Sequence, residues 1–473
     1  MKNRGERAAA GTMCTEMQTQ DQGTNLRNCN GSSETAAYIQ NKLNQILPEL
    51  ASGEGKAAVI YMVPQSLLVS NPEAYKPKLV SIGPYHQGSP DLQPMEANKL
   101  LVVRDLCNLT GVTLVQLVHE LDQEVKEPRI YYRQKIDLVG GDQALSAQLL
   151  IDGCFLFSYL GGLQPFINKS AQAKPAPHVY SMDSAIQHDI LLLENQVPSC
   201  VLKAIVSAIS LVHHQANVDT HINVACGFIE GLFQYIPTAV KPNKFDHLVD
   251  LCYQYLHPTS QTTRGAHHEI PMPQGENDWQ QPEVRRLRRA REYRETGIRF
   301  KQMTQRPPIS LLDITFSRGV LRIPRIVVDE RTDYFLRNIV AYEQESFDSS
   351  GSYVTAYVLF MSQLVSKAED VTLLSEKDIL VHQLGSDEEV SDMFKKMSKG
   401  IVFDFDSEYH LKDVTVALEK HYRDRRNRWM ALLRHTYFSN PWLILGAIVA
   451  MVAFALSVSQ AALNFLRFAR NPK

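Results

Sequence analysis

The sequence predicts a mainly α-helical body with a small antiparallel β element, an α+β arrangement, followed by one C-terminal transmembrane helix. Three observations predict it. Apolar residues recur at helical spacing in most segments from Glu34 to Leu256 and again from Asp333 onward. Between Ile298 and Ile323 that period gives way to alternation and short apolar runs around the turn Ser317-Arg318-Gly319. From Arg434 to Arg467 no intervening residue carries a formal charge, with His435 taken as neutral.

The elements follow in order. Residues 1–33 are polar, rich in Gly, Asn, Gln and Thr, and predicted to be a disordered tail. Glu34 to Leu50 places Ile39, Leu43, Ile46 and Leu50 on one helical face. After the linker Ala51–Gly55, the β-like run Val59–Val63 stops at Pro64. Pro64, Pro72, Pro77, Pro84 and Pro90 then forbid a long helix, so this stretch should lie as an ordered, extended strap over the helices. Asp91 to Glu127 reads as two helical pieces with Gly111 near the break. Ile130–Leu163 follows, most apolar around Leu149–Phe155. Ser184 to Ala208 is helical with an interruption at Pro198, and Phe228–Tyr235 and Phe245–Leu256 are shorter helices. Thr259 to Glu283 is poor in apolar residues and rich in Pro, Gly, Gln and His, the composition of a surface loop.

Val284 to Thr296 reads as a basic helix closed by Gly297. Ile298–Phe300, Leu311–Phe316 and Val320–Ile323 read as a small β-meander. Helix returns at Asp333–Glu345, Val354–Ala368, Lys377–His382 and Glu388–Met397, and Lys412–Phe438 reads as a long charged amphipathic helix. The predicted organisation is therefore a tail at 1–33, a helical body at 34–440 with its loop insert at 259–283, a transmembrane helix at 441–466, and a tail at 467–473.

The terminal segment sets the class. Trp442 to Phe465 is apolar all round, and about 20 such residues cross a bilayer. Pro441 stands where a helix can begin without losing a hydrogen bond. Trp442, Gly446, Phe454 and Phe465 are the predicted anchor residues. Arg423, Arg425, Arg426 and Arg428, beside Trp429, read as a juxtamembrane basic anchor. No apolar signal region follows the early basic residues, and the span stands near the end of the chain, the arrangement of a tail-anchored protein. The excess of basic residues ahead of the span places the body in the cytosol.

Composition narrows the partners. A hydrophobic fraction of 44% and a charged fraction of 21% suit a globular body. A net charge of -2 gives no field that demands nucleic acid. The 7 cysteines are odd in number and none forms a CxxC pair, against both a disulfide framework and a zinc site. The partners expected are the lipid bilayer and an unidentified protein; no cofactor and no small-molecule substrate is evident.

Several segments in one order then carry a resemblance. They are NPEAYKPKLVSIGPYHQG at Asn71–Gly88, IDGCFLF at Ile151–Phe157, DILLLENQVP at Asp189–Pro198, LLDITFSRGVLRIPRI at Leu311–Ile326, RNIVAYEQE at Arg337–Glu345, LGSDEEVSDMF at Leu384–Phe394 and YFSNPW at Tyr437–Trp442. From about Val63 to Gln460 the chain resembles a plant-specific family known as a domain of unknown function, number 247 in its series. The resemblance implies one C-terminal span and residence in the plasma membrane, and it supplies no enzymatic activity, cofactor or catalytic residue. Some grass members are implicated as pollen-side determinants of self-incompatibility, which implies recognition or signalling. This chain departs from the family pattern at Lys395, where the family usually has Asn, and at Leu145, Leu149 and Leu150, where it is rich in Met and Phe.

Candidate chemistry in the body is sparse. The run Arg285–Arg294 has Leu287, Ala290 and Tyr293 as an inward stripe, so its arginines read as a solvated helix face or a membrane-surface patch. The pairs His213-His214 and His267-His268 are adjacent and cannot converge on one metal as i, i+4 pairs do. An enzyme would have to assemble its site in the fold, with Asp152, Glu194 and Glu343 the first candidates. Asp189–Pro198 reads as a polar plug ending a buried helix. In it Asn195 and Gln196 amides donate to helix-end carbonyls, while Glu194 accepts from a backbone N–H or pairs with an arginine.

Overall fold

Punctuation in the sequence sets where the helices break. The computed structural model describes residues 58–136, 139–167, 183–213, 219–232, 242–257, 287–304, 310–346, 352–407, 409–424 and 441–470. The expected tail at 1–33, the helix at 34–50, the insert at 259–283 and residues 471–473 lie outside the described residues.

Helix α1 spans Gln93–Thr110 and ends at Gly111, which takes φ 71° and returns its N–H to the Cys107 carbonyl. Helix α2, Leu114–Glu124, opens on a reciprocal cap in which Thr113 accepts from Gln116 N–H and Gln116 accepts from Thr113 N–H. Helix α3 occupies Gly141–Tyr159, less than the 130–163 segment. The interruption expected at Pro198 separates α4, Asp183–Ile190, from α5, Ser199–Val212. Helices α6, Thr220–Leu232, and α7, Leu248–Leu256, complete the first half. Helix α3 packs on α1 and α5, and α5 packs on α2. Gly153 lets α3 and α5 approach, because a Cβ there would stand 2.5 Å from Val201 Cγ1.

In the second half α8 is shorter than expected, Ala290–Glu295, while Gly297 takes φ 89° as a terminating residue should. Strands β1 (Arg299–Gln302), β2 (Thr315–Ser317) and β3 (Val320–Ile323) form a sheet in the order β1-β3-β2. The antiparallel meander is corrected here. Only β2 and β3 form the expected hairpin, through Arg318 and Gly319 at positive φ, whereas β1 lies parallel to β3. The long connection from Gln302 to Val320 allows the crossover that a parallel pair needs. A second sheet pairs β4 (Ile326–Val328) in parallel with β5 (Leu380–His382), inside the stretch 377–382 that reads as helix. Three residues are too few for a period to identify; their strand identity comes from the distant partner.

Helix α9, Glu330–Glu345, begins on an Asp329 cap that accepts from Arg331 and Thr332 N–H. Helices α10 (Tyr353–Leu364) and α12 (Asp387–Met397) pack on it and on each other, and α11 (Ala368–Ser375) packs on α12. Helix α13, Lys412–Arg423, packs on β2; Asp424 turns extended, so the expected unbroken helix to Phe438 ends here, and residues 425–438 lie outside the described residues. One hydrophobic core joins both halves, from Ile60 on the strap to Leu418 on α13.

Helix α14 runs from Pro441 to Arg470. Among the described residues no single helix is long and apolar enough to cross a membrane, and the apolar stretch described in α14 is Ile448–Leu463. That stretch rises about 24 Å, short of the roughly 30 Å of a hydrocarbon core, so the expected span at 441–466 is not supported by its described residues. Gly446 and Phe454 are exposed, and the side chains of Trp442 and Phe465 lie outside the described residues.

Gly153→Ala should lower stability by about 1–3 kcal/mol, the usual cost of overpacking a close helix contact. Adding Val201→Ala should return part of that loss, because the colliding methyl is gone. Chemical denaturation of the two variants against the parent measures both; equal stability of parent and Gly153→Ala would refute the close approach.

Candidate functional site

The proline-punctuated strap holds only short helical turns, Gln65–Leu68, Pro72–Tyr75 and Pro90–Leu92, and is extended only between them; apart from one bridge, Ile60 to Tyr132, it joins no sheet among the described residues. Its buried backbone N–H groups still require acceptors. Side chains from the middle of α3, from the end of α4 and from the Asp189–Pro198 turn supply them. The Asp189 carboxylate accepts from three consecutive amides, Lys78 at 2.8 Å, Leu79 at 2.7 Å and Val80 at 2.8 Å. His188 Nδ1 closes the fourth contact, 2.8 Å from Asp189 Oδ1. Asn195 Oδ1 accepts from Ile82 N–H at 2.7 Å, and its Nδ2 donates to the Val80 and Asp189 carbonyls. Asp152 Oδ2 accepts from Gly83 N–H at 2.8 Å. Gly83 takes φ 73°, and a Cβ on it would lie 2.4 Å from the Gln196 carbonyl oxygen, so only glycine fits.

The polar plug forms as the sequence predicts. Gln196 Nε2 donates to the Ile190 and Leu192 carbonyls at 2.8 Å each, and Glu194 Oε1 accepts from Val63 N–H at 2.8 Å. The ionic neighbour of Glu194 is a histidine rather than an arginine: His86 Nε2 stands 3.2 Å from Oε2, without hydrogen-bond alignment. Beside it the Tyr85 hydroxyl donates to Gln134 Oε1 at 2.9 Å. Burial, with the Glu194 charge adding to it, pushes the Tyr85 phenol up to about 12.

The three candidate carboxylates are thus all engaged by backbone amides. Asp152 and Glu194 are brought to the same strap, whereas Glu343 lies elsewhere and accepts from Val354 and Thr355 N–H at the start of α10. Asp152 also holds Lys99, fully buried, at 2.5 Å; the ammonium meets Glu96 at 2.7 Å and the Ser81 carbonyl at 2.9 Å. Burial raises the Asp152 carboxyl to about 6, against the lowering effect of the Lys99 charge. Burial likewise raises Glu343. Lys99 was not singled out by the sequence, since α1 offers no signal that separates it from exposed lysines.

His247, also outside the sequence candidates, ties the strap to α7. Its Nε2–H donates to the Val59 carbonyl at 2.9 Å and its Nδ1 accepts from Asp250 N–H at 3.3 Å, which assigns the neutral tautomer. Burial lowers it from the usual 6.5 to about 4. His213 is structural as well, bonded to the Thr110 carbonyl at the end of α1. His214, His267 and His268 lie outside the described residues. So do Arg425, Arg426 and Arg428; Arg423 is exposed at the end of α13, 3.7 Å from Glu419.

A cavity of about 270 Å³ adjoins this network, lined among others by Leu191, Arg325, Arg331, Thr332, Tyr334 and Gln383. Tyr334 packs edge-on against His188, and its buried hydroxyl has no hydrogen-bond partner among the described residues. Asp152, Glu194 and Glu343 do not line this cavity. The arrangement is built to hold backbone rather than to move protons, since each carboxylate is already committed to fixed donors.

The chain is similar to known plant proteins. The family model DUF247, described as plant protein of unknown function, matches residues 60–456. A UPF0481 protein of Arabidopsis thaliana is 30% identical over 457 residues, covering 92% of this chain and 92% of its own. A putative UPF0481 protein of the same plant is 24% identical over 496 residues, covering 87% of this chain and 91% of its own. No solved structure matches.

Glu194→Ala strands the Val63 N–H and should cost about 1–3 kcal/mol of stability, whereas Glu194→Gln keeps an acceptor and should cost less. If both variants unfold like the parent, the plug does not hold the strap. His247 gives a second, pH-dependent outcome. Its lowered value means that the unfolded chain takes up the proton first. Its contribution is therefore complete above about pH 6.5 and lost as pH falls toward 4, by up to about 3 kcal/mol. The stability difference between the parent and His247→Gln, read by urea unfolding at each pH, should shrink across that window.

Proposed function

Because the chain belongs to the DUF247 family of plant proteins, whose function is unknown, its own geometry has to supply the reading, and we propose a membrane-anchored protein acting by protein–protein recognition or signalling at the plasma membrane. The observation that carries the proposal is α14. It is helical from Pro441 to Arg470, 30 residues or about 45 Å, and Ile448, Met451, Phe454, Val458 and Leu463 all stand exposed along it. Elsewhere most apolar side chains are gathered into one core, and the exposed ones are scattered rather than continuous along a whole helix. A helix apolar on every face gains most by entering lipid. The uncharged sequence from Trp442 to Leu466 extends the described apolar stretch to hydrocarbon length.

Orientation follows from charge. Lys420, Arg423, Arg425, Arg426, Arg428 and Arg434 precede the helix, against Arg467, Arg470 and Lys473 at its far end, so the body faces the cytosol. Recognition rather than turnover is favoured by the engagement of Asp152, Glu194 and Glu343 with backbone amides.

The full-length protein should remain in the membrane pellet through alkaline carbonate washing, and deletion of 441–473 should move it to the supernatant. Release of the full-length chain by carbonate refutes the anchor. Protease added to sealed right-side-out plasma-membrane vesicles should spare the body, and a glycan on Asn108, which is exposed on α1, would reverse the orientation.

A further inference from the structure

The basic run divides in two in the fold. Arg288, Arg289 and Arg291 are neutralised. Arg288 lies 3.7 Å from Glu419 with its guanidinium 4.8 Å from the Tyr422 ring centre, Arg289 is 3.3 Å from Glu292 and 3.6 Å from Glu369, and Arg291 reaches Glu369 at 3.8 Å. Arg294 instead lines a groove of about 530 Å³ together with Arg299, Lys301 and Lys377. All four are exposed, and none forms an ion pair with a described residue.

Four cations around one groove repel each other, and an anion between them relieves that repulsion. The groove is not polar throughout: Ile298, Phe300 and Leu373 form buried apolar walls beneath the cations. Strand β1, which carries Arg299 and Lys301, is the edge of its sheet, and Arg322 stands in register beside Lys301. The element that carries Arg294 is tied to α13. The Tyr293 hydroxyl, one residue before Arg294, donates to Glu419 at 3.2 Å, and its ring packs 6.1 Å from Tyr422.

We propose that this groove binds the multiply phosphorylated headgroup of an anionic membrane lipid of the phosphoinositide class. Its phosphates meet Arg294, Arg299, Lys301 and Lys377, with the guanidinium groups suited to paired contacts with phosphate oxygens. The glycerol and first acyl carbons lie along the aliphatic stems of Arg299, Lys301 and Lys377, above the covered side chains of Ile298, Phe300 and Leu373. The lipid source rests on α14 lying in the membrane; clustered phosphates as the chemistry rest on the groove alone. A free inositol phosphate offers the same charges without the acyl carbons, so it is the competing source.

The test titrates the full-length chain, in mild detergent, with three probes: dioctanoyl phosphatidylinositol 4,5-bisphosphate, dioctanoyl phosphatidylcholine and inositol 1,4,5-trisphosphate. The bisphosphate lipid should bind more tightly than either other probe. Arg299→Glu combined with Lys301→Glu should weaken it by about tenfold or more, the scale of lost charge-assisted contacts. Lys395→Glu combined with Lys399→Glu, exposed elsewhere, should leave it unchanged, and thermal midpoints should show that both double variants fold. No preference over phosphatidylcholine, or full binding by the groove variant, overturns the proposal. Inositol trisphosphate binding as tightly as the lipid overturns the lipid source. Because the titration needs no bilayer, it can fail while carbonate washing retains the chain, or succeed while washing releases it.

Discussion

Six backbone amides of one extended segment, those of Val63, Lys78, Leu79, Val80, Ile82 and Gly83, are held by side chains rather than by a neighbouring strand. This constraint organises the first half of the molecule. Proline limits the strap to short helical turns, and where its amides are buried water is removed as an acceptor, so protein groups satisfy those donors. The acceptors come from α3, from the end of α4 and from the turn after it, which fixes those elements against the strap and against one another. Asn338 on α9 extends the pattern into the second half: its Oδ1 takes the Leu193 N–H at 2.9 Å, and its Nδ2 donates to the Ala74 carbonyl.

The arrangement brings charge inside. Lys99 and Asp152 are both fully buried, and desolvating such a pair costs several kcal/mol per ion, which their attraction offsets only with good geometry and further hydrogen bonds. Those further bonds are present, from Gly83, Gln148 and Ser81. A carboxylate so fully committed serves as a fixed acceptor. Text that looks catalytic in the sequence, an acid followed by two amides in an apolar run, is here the chemistry of holding a backbone in place.

The second half handles charge at its surface. Three of the four described arginines of the basic run are drawn into ion pairs with α11 and α13, and the charge left over gathers along β1 and just beyond α11. The β element matters for this because it turns Arg299 and Lys301 outward while Phe300, between them, is buried. Core packing and a concentrated positive surface therefore come from the same four-residue strand.

Much was legible from the sequence, and for a physical reason: local signals are local chemistry. Gly111, Pro198 and Gly297 mark helix boundaries because backbone sterics act within a few residues. The strap was legible from its prolines, the plug from its amides, and the turn at Arg318-Gly319 from its glycine. The sequence also carried the family, through several short segments in a fixed order, and the uncharged stretch after Arg434. What depended on distant partners was decided only by the tertiary structure. The parallel pairing of β1 with β3 and the strand at Leu380–His382 arise from partners far along the chain, as do the burial of Lys99 and the tautomer of His247. So does the split of one arginine run into a neutralised face and an open groove, because whether a charge is paired depends on which acid the fold brings beside it.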